Sequence, residues 1–108
     1  MNILILGSGG REHSLAWAIL QNPKCDKLIV APGNAGIEQI CDCADINILD
    51  GDAVASFCEE NAIDFVIIGP EAPLAVGVAD RLRDAGLLVF GPSKAAAALE
   101  ASKSFTKA

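Results

Sequence analysis

The chain opens on a short apolar run that breaks into glycines, and this feature most restricts its fold. Residues 2–6 are followed by Gly7, Ser8, Gly9 and Gly10. A run of leucine and β-branched residues of this length is typical of a buried strand in a parallel sheet. Residues 11–22 have a helical pattern, so the first N–H groups of that helix would point back into the glycine loop. Because such a loop and helix N-terminus attract anions, the sequence predicts a phosphate site at residues 7–10.

A dinucleotide is one candidate for the phosphate-bearing ligand, but two features of the sequence disfavour it. The dinucleotide fingerprint places a third glycine where this chain has Glu12. It also places an acidic residue at the end of the second strand, to hold the ribose hydroxyls. Here the second apolar run ends in Ala31-Pro32-Gly33. A dinucleotide-binding domain therefore stays open only as an alternative.

Composition and charge restrict the class of protein further. At 108 residues, with 52% hydrophobic and 20% charged residues, the chain fits one globular domain. The net charge of −6 disfavours a nucleic-acid partner, which requires a basic surface. Each apolar run is much shorter than the ~20 residues of a membrane span, and the opening run lacks a basic leader. We therefore expect a cytoplasmic protein with no membrane partner.

Four cysteines raise the question of metal or disulfide bonds. They are Cys25, Cys41, Cys43 and Cys58. Disulfides are rare in cytoplasmic proteins, and the spacing lacks the second pair of a zinc ribbon. We expect free thiols and no metal site.

Five apolar runs alternate with helical segments, which is the pattern of a doubly wound α/β domain. The predicted strands are residues 2–6, 27–31, 46–49, 64–68 and 87–90. Together they would form an open parallel sheet of about five strands with helices on both faces. All the loops rich in glycine and proline would then meet at the carboxyl edge of the sheet, where ligands bind in such folds.

Helix boundaries are predicted from capping residues. After the first helix, a second is expected to begin at Asp50 or Asp52, whose carboxylate can cap free N–H groups. A third is expected from about Pro73 through Leu82, with Gly86 as its left-handed C-terminal cap. Ser93 is expected to cap a last alanine-rich helix over residues 94–100.

Four motifs together resemble one family over nearly the whole chain. They are GSGGREHSLAW, APGNAG, DFVIIGPEAPLAVGVADRLRDAGLLVFGPS and AAALEASKSFTK. The chain resembles the amino-terminal domain of phosphoribosylamine–glycine ligases, enzymes of purine biosynthesis. The resemblance implies a Rossmann-like domain that precedes an ATP-grasp domain. The complete enzyme would use ATP and Mg²⁺ to join glycine to 5-phosphoribosylamine, through a glycyl phosphate, giving ADP and phosphate.

The resemblance also assigns roles to single residues. It implies that the loop of residues 7–10 binds the ribotide and that Glu71 holds the ribose hydroxyls, although Glu71 could instead be a charge at a helix entry. Lys103 would reach the phosphates of ATP. Arg11 could contribute a charge-assisted hydrogen bond to phosphate or stay solvated. His13 could orient a substrate group or simply pack.

The division of the chain follows from the same resemblance. Residues 1–101 would be the ribotide-binding domain, and residues 102–108 the start of the link to an ATP-grasp domain that this chain lacks. We expect the isolated chain to be inactive and to hold no cofactor, with the remaining domain as its partner. The motifs disfavour the matching domain of another ATP-grasp enzyme, such as a carboxylase. A stand-alone ribotide- or nucleotide-binding module is the main alternative. Asn34 and Gly36 are weaker site candidates.

Overall fold

The computed structural model describes residues 1–70, 73 and 76–91, and its centre is a parallel sheet of five strands. The strands lie in the order β3-β2-β1-β4-β5. Along the chain the elements are β1 (Asn2–Gly7), α1 (Gly10–Leu20), β2 (Lys27–Pro32), α2 (Ala35–Glu38), β3 (Asp42–Cys43), α3 (Gly51–Glu60), β4 (Phe65–Ile68), α4 (Val78–Asp84) and β5 (Leu88–Phe90). This arrangement confirms the predicted open α/β fold of Rossmann-like type.

β1 is the central strand, and its alternating side chains enter two separate cores. Leu4 and Leu6 pack with residues of α3 and α4, whereas Ile3 and Ile5 pack with residues of α1 and α2. All four side chains are fully buried. Because helices cover β1 on both faces, neither set of its side chains meets solvent, and its sequence is a continuous apolar run. Helices therefore cover both faces of the sheet, as predicted.

The predicted third strand at residues 46–49 is wrong. The third strand is β3, two residues long, in which Asp42 and Cys43 pair with β2. Residues 46–49 instead belong to a loop that ends in a turn at residues 48 and 49: Leu49 N–H donates to the Asn47 side chain at 3.0 Å, and Asp50 N–H donates to the Asn47 carbonyl at 3.1 Å. The apolar spacing that suggested a strand comes from Ile46 and Ile48, which pack against the core from this loop.

The helices partly follow the predicted boundaries. The side chain of Asp50 caps α3, and Gly86 follows α4 in the left-handed region with φ +89°. α4 begins at Val78 rather than running on from Pro73, because Gly77 adopts φ +81° and a right-handed helix cannot pass through it. Ser93 and residues 94–100 lie outside the described residues. Within the described part, no helix is long and apolar enough to cross a membrane.

Candidate functional site

The strand order reverses beside β1, and the candidate site lies at this point. The chain passes from β1 outward to β2 and β3, and then returns to place β4 on the other side of β1. Gly7 ends β1, and Gly69 follows β4, with Gly69 N–H donating to the Leu6 carbonyl at 3.0 Å. In open α/β sheets, the crevice between two such strand ends is the usual place for a ligand.

The glycine loop has the geometry of an anion site. Gly7 is buried with φ +147°, whereas residues 8–10 are exposed. Gly9 is the N-cap of α1 and, as a glycine, offers no side chain to cap the helix. Among the described residues, the first N–H group of α1 that has an acceptor is that of His13, which donates to the Gly9 carbonyl at 3.1 Å. The N–H groups of the first turn before His13 are therefore left for a ligand or water. Binding of a phosphate there stays a prediction.

Glu12 is the unexpected member of the site. Its side chain is only 9% exposed and lies between the two strand ends. A Cβ on Gly69 would come within 2.9 Å of the Glu12 Cδ, and a Cβ on Gly7 would overlap the same side chain. A Cβ on Gly9 would lie 3.8 Å from Glu12 Oε1. The carboxylate therefore occupies the inner side of the crevice, directly behind the glycine loop.

Arg11 bridges the loops that follow β1 and β4. Its Nη2 donates to the Gly69 carbonyl at 3.3 Å, and its Nε lies 3.8 Å from Glu12 Oε2. The side chain is nevertheless 68% exposed. Of the two predicted alternatives, the structure supports neither alone: Arg11 is fixed at one end but keeps donors open to solvent.

The loop after β2 joins the same edge through Asn34. Asn34 Nδ2 donates to the Ser8 carbonyl, and its Oδ1 accepts from Ile37 N–H at 2.9 Å as the N-cap of α2. Gly33 N–H also donates to the Gly7 carbonyl at 3.1 Å. Both polar groups of Asn34 thus hold backbone in place, which gives this residue a structural role.

His13 packs against that second loop. A Cβ on Gly36 would lie 3.1 Å from His13 Cε1, so Gly36 leaves room for the imidazole. His13 is half-buried and, with Gly10, Ser14 and the exposed Trp17, lines a depression of about 300 Å³. This contact favours the packing role for His13.

All four cysteines are free thiols, and Cys43 lies against Gly33 in the loop that follows β2. Burial raises the pKa of Cys41 and of Cys58 to about 11. Burial also raises the pKa of Cys25 and of Cys43. Protonated thiols are poor nucleophiles and poor metal ligands. Among the described residues, no group of three or more His, Cys, Asp or Glu side chains could hold a metal ion.

The structure thus brings together part of the predicted site and adds to it. Residues 7–10 and Arg11 meet at the crevice, whereas Glu71 and Lys103 lie outside the described residues and stay predictions. Sequence reasoning missed Gly69 as a contact and noted Glu12 only as a departure from the dinucleotide fingerprint. The signal for Glu12 was present, because an acidic residue in place of the third glycine must lie close to both strand ends.

Fold and candidate site together define an α/β domain with a glycine loop at the reversal of strand order. Comparison with known protein families shows to which family this domain belongs. The family described as "Phosphoribosylglycinamide synthetase, N domain" matches residues 1–100. The chain belongs to this family.

Curated relatives agree with the family assignment. The chain is 58% identical over 107 residues to a phosphoribosylamine–glycine ligase of Agrobacterium fabrum, and 54% identical over 109 residues to one of Haemophilus influenzae. In both cases the match covers 99% of this chain and 25% of the relative. The chain therefore spans about a quarter of the length of these relatives.

Two solved structures share the fold at low sequence identity. One is described as glycinamide-RNase-transformylase T from Mycobacterium tuberculosis, with a TM-score of 0.64 and 21% identity over 81% of this chain and 27% of that one. The other is a monomeric L-threonine 3-dehydrogenase from a metagenome, with a TM-score of 0.63 and 19% identity over 82% of this chain and 35% of that one. Identities this low support the fold alone.

Proposed function

We propose that this chain is the ribotide-binding domain of an ATP-dependent ligase that joins glycine to 5-phosphoribosylamine. The products would be glycinamide ribonucleotide, ADP and phosphate. The observation that carries the proposal is the uncapped N-terminus of α1 at the reversal of strand order, in a chain that belongs to this family. The relatives' printed name supplies the substrates.

The loop offers a phosphate two kinds of interaction. The exposed residues 8–10 let a ligand approach bare backbone, and the N–H groups of Gly10 and Arg11 can donate to phosphate oxygens. The guanidinium of Arg11 adds a positive charge at the rim of the crevice. These groups would hold the substrate so that its amine faces the rest of the enzyme.

ATP and Mg²⁺ are assigned to the part of the enzyme beyond this chain. A triphosphate needs a metal ion held by carboxylates, and the described residues provide no such cluster. Lys103 stays a predicted contact to the nucleotide. We therefore propose that this domain positions the acceptor substrate, while a separate ATP-grasp domain forms the glycyl phosphate.

The structure gives less support to a dinucleotide ligand. The third glycine of the dinucleotide fingerprint lets helix and strand approach closely, but here the Glu12 side chain fills that space against Gly7 and Gly69. The carboxylate would also repel a pyrophosphate placed deep in the crevice.

A domain exchange tests the proposal. This chain would replace the matching quarter of the Agrobacterium fabrum ligase, to which it is 58% identical over 107 residues. 5-Phosphoribosylamine would be generated in the assay from ribose 5-phosphate and ammonia. We expect the chimera to form glycinamide ribonucleotide, with ADP release that requires both glycine and the amine substrate.

The unmodified ligase serves as the positive control, and circular dichroism checks that the chimera is folded. As a matched negative control, Gly9→Val in the chimera should abolish saturation by the ribotide, since a β-branched side chain blocks approach to the loop. A folded chimera that forms no glycinamide ribonucleotide would contradict the proposed function.

A further inference from the structure

Glu12 is a nearly buried carboxylate whose one partner among the described residues is the Arg11 guanidinium. The side chain is 9% exposed, and it accepts no hydrogen bond within the described part of the structure. Among the described residues, the positive charge paired with it is Arg11, whose Nε lies 3.8 Å from Glu12 Oε2 and whose Nη2 donates to the Gly69 carbonyl. Burial of a carboxylate is costly unless donors compensate it. Its oxygens are not sealed from solvent, so a hydrogen-bond donor on a bound ligand can reach them and replace water.

The position of the carboxylate shows where that donor would lie. Gly7 and Gly69 flank the side chain and lack the Cβ atoms that would collide with it. Glu12 Oε1 and Oε2 lie 3.8 and 4.0 Å from the place where a Cβ of Gly9 would be, so they face the inner side of the glycine loop. A ligand whose phosphate rests on the exposed loop would extend its other end toward these oxygens.

The charge of Glu12 decides which end of the ligand can approach it. A carboxylate and a phosphate repel one another at close range, whereas an amine or hydroxyl can donate a hydrogen bond to the carboxylate. The crevice is therefore polarised, with N–H donors of α1 on its outer side and an acceptor on its inner side. Such an arrangement discriminates between a bare phosphate and a phosphate attached to a donor-bearing sugar.

We propose that Glu12 is a specificity-determining residue that accepts a hydrogen bond from a hydroxyl of a bound sugar phosphate. The proposal deepens the proposed function and rests on it for the identity of the substrate. It assigns the phosphate to residues 8–10 and the sugar to the carboxylate, so Glu12 orients the ligand along the crevice.

The test compares two probes on the 108-residue chain, ribose 5-phosphate and inorganic phosphate, by NMR titration of the isotope-labelled protein. Glu12→Gln keeps the shape of the side chain and weakens it as an acceptor, and Glu12→Met removes acceptance altogether. We expect each variant to bind ribose 5-phosphate about 10- to 150-fold more weakly. The affinity for inorganic phosphate should be unchanged or higher, since a nearby negative charge is gone.

Glu38→Gln is the matched control, because it makes the same charge change on an exposed glutamate of α2 at the same sheet edge. It should bind both probes like the wild type. Thermal unfolding separates binding from structure: Glu12→Met should be at least as stable as the wild type, since it replaces a poorly paired buried carboxylate with an apolar side chain.

Three outcomes would overturn the proposal. Both Glu12 variants could bind ribose 5-phosphate with unchanged affinity, or they could lose affinity equally for ribose 5-phosphate and inorganic phosphate. The third is that the wild-type chain does not bind ribose 5-phosphate. These results are independent of the domain exchange. If the chimera is active but the Glu12 variants bind ribose 5-phosphate like the wild type, the proposed function stands and this inference fails. If the chimera is inactive but the Glu12 variants bind ribose 5-phosphate more weakly, this inference stands and the proposed function fails.

Discussion

At the scale of single residues, burial alone changes the chemistry of Cys58. This thiol lies in α3 and is 2% exposed, within the core that α3 and α4 form against the sheet. Burial disfavours the thiolate and raises the pKa of Cys58 from 9.0 to about 11. The protonated thiol behaves as a small apolar side chain that fills space.

The raised pKa predicts that Cys58 makes the folded state less stable at high pH. Between about pH 9 and pH 11 the unfolded thiol loses its proton and the folded thiol keeps it, so stability falls as the pH rises. The loss from this group reaches about 2–3 kcal/mol above pH 11. Urea unfolding at pH 8 and pH 11 should show that Cys58→Ala loses less stability across this range than the wild type. Equal losses in the two proteins would contradict the assignment.

Single residues also show how far the sequence can predict the site. Residues 7–10 were predictable because a strand followed by glycines and a helix has few alternative geometries. The contact of Glu12 with Gly69 was not predictable, since it joins α1 to the loop after β4 and depends on the sheet placing β4 beside β1. The same applies to the contact between His13 and Gly36.

At the scale of elements, α3 depends on one capping side chain. Asp50 Oδ1 accepts from the N–H groups of Asp52 and Ala53 at 3.1 and 3.2 Å. Because α3 contributes Val54 and Cys58 to the core, fraying of its first turn would also loosen packing against the sheet. The cap therefore supports more than its own turn.

Removal of this cap should be measurable. Asp50→Ala leaves two N–H groups without their acceptor and should lower the free energy of unfolding by about 1 kcal/mol, within a range of about 0.5–2. Asp45→Ala is the matched control, an exposed aspartate that changes the charge equally and caps no helix. Urea unfolding near neutral pH measures both. Equal stability of the two variants would show that the cap contributes nothing.

The elements that the sequence mispredicted share a physical cause. β3 is a two-residue edge strand without a buried run, so hydrophobic pattern could not reveal it, and the alternation at Ile46 and Ile48 pointed to the wrong segment. α2 is four residues long, too short for a helical period to show. In α4 the apolar spacing was right, but the left-handed Gly77 fixes where the helix begins.

At the scale of the whole molecule, we propose that this domain positions the acceptor substrate and leaves phosphoryl transfer to another part of the enzyme. That reaction needs a triphosphate clamped by metal ions and positioned charges. The part of the chain that the structure describes has no cluster suited to a metal ion. The chain also spans about a quarter of the length of its curated relatives.

We therefore predict that the purified 108-residue chain releases no ADP from ATP above background, with or without glycine and 5-phosphoribosylamine. A coupled assay for ADP in the presence of Mg²⁺ measures this, and the chimera described above provides the active reference. Glycine-dependent ADP release by the isolated chain would show that it contains a catalytic site of its own.

The central position of β1 in the sheet also determines how long one of its edges stays unpaired during synthesis. The ribosome makes β1 before β4, yet β4 completes one edge of β1, and the Asn2 N–H donates to Asp64, 62 residues later. At about 5–20 residues per second, roughly 3–12 s of synthesis separate the two. During that interval an apolar strand with an open edge is available to other chains. The strand at the centre of the finished sheet thus keeps one edge unpaired until β4 has been made.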